Sequence, residues 1–600
     1  MRSRTATLLL ALLLAASARP AHAYTYGDTL TTIWRPLPNL PALVRPGDTF
    51  TVWANAPSTA SGWAASLGYG ALNVPLIPAG GGWQPTKNRW ELQYTVPPNT
   101  PEEVYALFLT SDSTLPDVAA HAVKVYPAFP SDYYFAQISD THLPEHALSS
   151  NGTINTADTT GMADFDAVIE DLNGIHPQFI IHTGDLVNEG ELEEYLGMYE
   201  MGRAQGMLSR LRDPVFVSSG NHDIGGWGAT APPDGTSRKD WWRYFGWPYL
   251  ENPPAGDPYH SQDFTFDFGP LHVIGLEAYI NNGSYDHYRQ DIWGAQSFTP
   301  EQMTWLANDI AAQPVGTHKL LFYHYDFGGT LANGSPGANF SQINPATLGI
   351  DGAIWGHNHS VADGNRVAQP FNLGLASVID HRAFRIFRVH NGVMTPAPMH
   401  HSGAISGALD SLAFAWSGPN DGSRSALSVT VTNRFLESFE HARLTFYVAD
   451  HESSFTATGG TIAQILRQSG YAEVSVDCVF PATGTANVSV QPDAPIAGVP
   501  EPVSRASGLQ ALGPNPFRAG GATPLAIRFA LDQPRHVALD VFDLTGRRIA
   551  RLEHGAFAAG VRTVTWNGSL ADGSLARAGV YVVRLQAGAR VETRRIAVVR

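Results

Sequence analysis

A chain of 600 residues is too long to close around one hydrophobic core, so several domains are expected. With 44% hydrophobic residues and a mean hydropathy of -0.12 it has the balance of a water-soluble globular protein, and its 58 Gly and 42 Pro point to many turns, as in β-rich architectures. A net charge of -16 excludes electrostatic binding to a nucleic-acid backbone or an anionic membrane, yet such a protein can still act on phosphate esters if metal ions supply positive charge locally.

In chain order, the first element is an export signal over residues 1–23. Arg2 and Arg4 precede the apolar run 8–16, and the small residues of AHA (21–23) offer a cleavage site before Tyr24. The run is far short of the ~20 apolar residues that a spanning helix needs, and no other segment reaches that length, so no transmembrane segment is expected. Cys478 is the single cysteine, so no internal disulfide can form. An exported chain without disulfides relies on core packing or bound metal, which suits a secreted, cell-surface or periplasmic bacterial protein.

Residues 24–128 show short strand-like runs between Pro and Gly turns, the pattern of an N-terminal Ig-like β-sandwich. Over 129–400 strands alternate with helices. YYFAQIS is followed by a helical stretch with Phe165, Val168, Ile169 and Leu172 on one face, then by PQFIIHTG, a second helix around 194–211, DPVFVSSG and LHVIGLEA. Thr299 and Gln302 form a capping box that opens a further helix at Pro300, and HKLLFYH and IDGAIWGH complete the series. This alternation predicts an α/β domain with a largely parallel sheet. Residues 401–500 read as a second β-rich domain. Beyond a linker at 496–508, residues 501–600 read as a third, with Leu525, Ile527, Phe529 and Leu531 alternating inward, as do Val537, Leu539 and Val541.

Metal-ligand residue types follow five strands of the α/β segment. They are Asp140 and His142, then Asp185, then Asn221 with His222 and Asp223, then His324, and finally His357 and His359. In open α/β sheets ligands bind beyond the carboxyl ends of the strands, so these residues are expected to converge. The set is nitrogen and oxygen without thiolate. It suits Zn, Mn, Fe or Ni better than Ca or an iron–sulfur cluster, and it is too large for one tetrahedral ion. A shared carboxylate could hold two ions ~3.5–4 Å apart, the arrangement used for displacement at phosphorus.

The order DxH, GDxxxxG, GNHD, a lone His and GHxH resembles the calcineurin-like metallophosphoesterases. The likeness covers residues 133 to about 400 and implies an α/β core of β-sheet sandwich type flanked by helices. It also implies two divalent or trivalent ions. Asp140, His142, Asp185 and His359 would hold one, and Asp185, Asn221, His324 and His357 the other, with His222 as the catalytic proton donor on an extended loop. The function expected is an exported phosphoric ester hydrolase using metal-hydroxide attack at phosphorus, with phosphodiesters favoured over monoesters. A different class of protein, a cell-surface binding protein around an inactive core, would be supported by a lost ligand, and none is lost.

Several neighbours have plainer readings. Asp223 is expected to organise its loop or orient an imidazole, His182 to be a packed core histidine, and the aromatic run 241–250 to be packing. Asp286 and His287 are loop candidates for substrate contact. The tyrosine ligand and GNHE of purple acid phosphatases are absent, which argues against that subgroup. Near the C-terminus GPNPF (513–517), VFDLTGRRIARL (541–552), TWNG (565–568) and ARAGVYVVRLQAG (576–588) resemble the Ig-like or type IX secretion sorting domains of secreted bacterial proteins. That resemblance implies secretion machinery as a partner.

Overall fold

The computed structural model describes residues 31–143, 160–188, 195–224, 241, 244–245, 263–277, 298, 300–324, 326, 338–405, 408–450, 454–468, 470–493 and, with short gaps, 509–599. The signal segment 1–23, Thr299, Asp286, His287, the 496–508 linker and most of the 241–250 run lie outside them. The chain forms two compact units. One holds residues 1–414, 431–444 and 477–486, and the other 415–430, 445–476 and 487–600.

In the first unit, strands between Ile33 and Val125 make a four-stranded and a five-stranded sheet. Their alternating burial places Val52, Leu67, Leu92, Tyr105 and Leu107 in one core. The α/β segment follows. Its strands are β1 (Asp132–Ile138), β2 (Ile180–His182), β3 (Val215–Val217), β4 (Phe264–Phe268), β5 (Leu271–Gly275), β6 (His318–Phe322), β7 (Gly352–Trp355), β8 (Phe371–Gly374), β9 (Ala383–His390) and β10 (Val393–His401). In place of the one largely parallel sheet read from the alternation there are two mixed sheets, the sandwich that the resemblance implied, ordered β3-β2-β1-β9-β10 and β4-β5-β6-β7-β8. Strands β1, β2 and β3 run parallel, as do β5 to β8, whereas β9 runs antiparallel to β1 and β4 to β5. The sequence signal for β4 and for β9–β10 is that of hairpins, which add antiparallel edges to each parallel set.

The core lies between these sheets. Phe135 of β1 stacks on Phe387 of β9 at 4.5 Å, and Phe216 of β3 stacks on Phe266 of the opposite sheet at 3.5 Å. Successive residues of β6 and β7 point to opposite faces. Leu320, Phe322 and Ile354 enter this inter-sheet core, while Leu321, Tyr323, Ala353 and Trp355 pack with Leu306 and Ile310 of the helix Pro300–Ala312. On the other sheet the helix α1 (Thr160–Ile175) buries Phe165, Val168, Ile169 and Leu172. Both faces of the parallel strands are thus covered, which is why they read as continuous apolar runs.

In the second unit, strands between Gln510 and Val599 form a three-stranded and a five-stranded sheet around Leu525, Ile527, Phe529, Leu531, Val537, Leu539 and Val541. Among the described residues no helix is long and apolar enough to cross a membrane.

Candidate metal centre

Five of the parallel strands, β1, β2, β3, β6 and β7, end two to four residues before a donor side chain, and short backbone bonds tie the following loops together. Asp140 N donates to Gly184 O at 3.0 Å, His142 N to Asp185 O at 3.1 Å, and Gly356 N to His324 O at 2.7 Å. The loops turn so tightly that Asp140, His142, Asp185, His357 and His359 all adopt positive φ, between 46° and 68°. Asp and His are enriched in that region, but each such residue still costs of order 1–3 kcal/mol, and such strain clusters at functional sites. Two glycines permit the close approach. A Cβ on Gly356 would overlap Ser139 and the Asp140 carboxylate, and one on Gly220 would overlap Asp185.

The donors come from both sheets. Asp140, His142, Asp185, Asn221 and His222 follow β1, β2 and β3, while His324, His357 and His359 follow β6 and β7. They gather into overlapping groups. In the first, His142 Nε2 faces His359 Nε2 at 3.0 Å, with Asp140 Oδ1 at 4.0 and 3.6 Å from those nitrogens. In the second, His324 Nε2 lies 3.0 Å from Asp185 Oδ2, 3.1 Å from Asn221 Oδ1 and 3.2 Å from His357 Nδ1. Asp185 Oδ2 is also 3.9 Å from His142 Nε2, so this one carboxylate borders both groups. Donors sharing an ion at ~2.0–2.1 Å sit roughly 2.9–3.4 Å apart for angles between square and tetrahedral, and the closest donor pairs here fall in that range. These His and Asp clusters are consistent with the dinuclear metal site typical of calcineurin-like phosphoesterases.

Electrostatics agree with cation binding. Burial pushes the His142 and His357 imidazoles down to about 3, so both are neutral and offer lone pairs. Burial also raises Asp140 above the usual carboxylate range. Burial works against Asp185 too, but the adjacent His324 and nearby His222 hold its carboxyl well below that range. His324 rises to about 9 because Asp185 and Asp140 outweigh its burial. A site this deep that concentrates carboxylates beside imidazoles calls for compensating positive charge.

His222 occupies a single helical turn, Asn221–Ile224, where the sequence predicted an extended loop. The turn forms because Asp223 accepts the Gly220 and Val187 backbone N–H groups at 2.8 and 3.0 Å, closing the loop on itself. Asp223 is thereby the loop organiser. His222 N donates to Asp185 Oδ1 at 2.8 Å, its Nδ1 meets Asn188 O at 2.5 Å, and a ring nitrogen lies within 4.8 Å of donor atoms of His142 and Asp185. His182 is fully buried against Thr141 Oγ1, 3.0 Å away, and the Gly184 N–H, as a packed histidine. Trp241 and Phe245 of the aromatic run are buried against each other. Sequence reasoning missed Asp380, whose Oδ2 lies 2.5 Å from His359 Nδ1. Its signal was the S-x-x-D capping pattern Ser377–Asp380, directly after β8.

Two facing mixed sheets with such a cluster at their shared edge form an α/β core whose donor side chains could hold two metal ions. The family model described as calcineurin-like phosphoesterase matches residues 133–361, and the FlgD Ig-like domain model matches 515–590. Residues 133–361 are thus a calcineurin-like metallophosphoesterase domain, and the C-terminal β-domain is Ig-like. A search of curated proteins found no match. Similar solved structures include purple acid phosphatase PPD1 from yellow lupin (Lupinus luteus) seeds, at 13% identity and TM-score 0.31 over 64% of this chain and 70% of that one. A dimetal phosphatase from Danio rerio is 16% identical, with TM-score 0.30 over 43% and 93%. PorZ, a surface component of the type-IX secretion system of Porphyromonas gingivalis, is 17% identical, with TM-score 0.13 over 37% and 29%.

Proposed function

We propose that this protein is an exported dinuclear-metal hydrolase of phosphate esters. The observation that carries the reading is the sharing of Asp185 between two donor groups assembled from five strand ends. Asp140, His142, Asp185 and His359 would hold one ion, and Asp185, Asn221, His324 and His357 the other. Two such ions, of Fe, Mn, Zn or Ni, would offset the negative charge that develops on the phosphoryl oxygens and would make a bound water acidic near neutral pH. The chain's own part is to orient the ester and manage the proton. His222, whose Nδ1 meets Asn188 O, would donate the proton to the departing oxygen.

Phosphodiesters are favoured over monoesters because a chain of net charge -16 repels a singly charged substrate less than a doubly charged one. The basic, small-residue-terminated leader and the Ig-like C-terminal domain support a place outside the cytoplasm, with secretion machinery as a partner. The test is Asp185→Asn. Elemental analysis should show both ions weakened, and turnover of chromogenic mono- and diesters should largely vanish, whereas His142→Ala should weaken mainly one ion. Two tightly held ions with normal turnover in Asp185→Asn would refute the shared carboxylate. Two bound ions with no turnover of any ester by the unmodified protein would favour a binding protein built on an inactive core.

A further inference from the structure

We infer that Asp380 is a positioning residue for one of the two ions, acting through His359; this rests on the dinuclear reading above. Asp380 lies on the single helical turn Val378–His381, which follows β8 in the chain. This turn grips both loops of the first donor group. Val378 N donates to Ser139 O at 2.9 Å and Ile379 N to Asp140 O at 3.3 Å, so the backbone of the Asp140 loop is pinned to it. The Asp380 carboxylate faces His359 Nδ1 at 2.5 Å and also accepts from Ser377 Oγ at 3.0 Å, while Ser377 Oγ caps the turn by accepting the Asp380 N–H. The carboxylate is therefore fixed by the cap before it meets the imidazole.

The consequence is specific to His359. Among the ligand side chains it is the more exposed kind, at 34%, whereas Asp140, Asp185 and His324 are almost fully buried. Burial among neighbours orients those side chains. His324 has in addition a bond of 2.8 Å from Nδ1 to Thr183 O. In the first group His142 Nδ1 has no hydrogen-bond partner among the described residues, which leaves the Asp380–His359 bond as the contact that sets an imidazole there. With Nδ1–H donated to Asp380, the lone pair of His359 is confined to Nε2, the atom that faces His142 Nε2 and Asp140. A carboxylate behind a ligating histidine fixes its tautomer and ring plane and raises its basicity, and its loss costs about 10–100-fold in metal affinity.

The experiment is titration of metal-free protein with Mn²⁺ and, separately, Zn²⁺, following heat and bound metal for unmodified protein, Asp380→Ala, Asp380→Asn, His142→Ala and His324→Ala. Asp380→Ala is expected to weaken one ion by about 10–100-fold and leave the other unchanged. Asp380→Asn, which keeps an acceptor for Nδ1–H and for the cap, should recover part of that loss. Combined with His142→Ala, Asp380→Ala should add little, and combined with His324→Ala its effect should be independent. Unchanged affinity for both ions in Asp380→Ala overturns the assignment. So does equal weakening of both ions together with a lowered melting temperature, which would mark a structural role. If the unmodified protein takes up only one ion, the dinuclear reading fails, and the role of Asp380 is then decided by whether Asp380→Ala weakens that ion.

Discussion

His222 stands apart from the other site histidines because its backbone and its ring serve different ends. Its N–H donates to Asp185, and its Nδ1 is occupied by Asn188 O. The ring lies edge-on to His142, with centroids 4.8 Å apart, so it borders the donor groups beside His142 and Asp185. A proton donor matters only where the departing oxygen is a poor leaving group, and general acid catalysis is worth about 10²–10⁴-fold. His222→Ala should therefore keep both ions and slow alkyl phosphoesters by about that factor, while nitrophenyl esters lose far less. Elemental analysis beside a two-substrate rate comparison checks this. Loss of an ion, or equal losses on both esters, would make His222 a ligand or a structural group.

At the scale of elements, helix α1 carries a buried acid away from the site. Asp171 accepts the Leu412 N–H at 3.0 Å, and Gly174, one turn on, lies where a Cβ would meet Phe414 and Leu412. Burial pushes the Asp171 carboxyl up to about 8. In the unfolded chain it ionises near ~3.9, so between about pH 4 and pH 8 the folded state holds a proton that the unfolded state has lost. Stability from this group is full below the lower value, falls as pH rises and is gone above the higher one. Asp171→Asn keeps an acceptor for Leu412 N–H and removes the titration. Urea unfolding at pH 5 and pH 9 should show the variant gaining on the unmodified protein at the higher pH. Parallel pH dependences in the two proteins would contradict it.

At the scale of the molecule, the N-terminal sandwich is built into the phosphoesterase core. Val217 N at the end of β3 donates to Asn39 O, and Asn39 Nδ2 donates to Phe245 O. Leu40 and Tyr126 pack in the same cluster as Phe268 and Phe387. Lys124 lies 3.6 Å from Glu102 and 3.9 Å from Asp213, and Arg443 donates to Glu102 at 2.9 Å, so buried charges from three segments neutralise one another. Despite its burial, Glu102 is held down to about 2 by Lys124 and Arg443. Such clusters add little net stability but are costly to break by halves, which favours one docking geometry. The sandwich thereby steadies the strand that leads to Asn221. Residues 1–23 lie outside the described residues, and export by the proposed route should remove them. Mass spectrometry of the protein from its native envelope or medium should find Tyr24 as the first residue, and an intact Met1 would contradict export by this route.

What was legible in the sequence was whatever depends on local spacing. The apolar runs marked β1, β2, β6 and β7 because strands covered on both faces exclude polar residues. The helical face of Phe165, Val168, Ile169 and Leu172 was equally plain, since an amphipathic stripe repeats every three to four residues. The donor residue types at the strand ends, their order and the absence of thiolate followed from the motifs alone. The sandwich of two sheets came from the motif resemblance and not from the spacing, because parallel pairing is made between distant segments and leaves no periodic trace of its partner. One open sheet would have placed the donors along a single edge. Instead two sheets closed around stacked phenylalanines, and their shared edge brings His324, His357 and His359 to Asp140, His142, Asp185 and Asn221. The helical turn at His222 and the carboxylate of Asp380 behind His359 likewise depend on hydrogen bonds across loops far apart in the chain, and only the tertiary structure decides those.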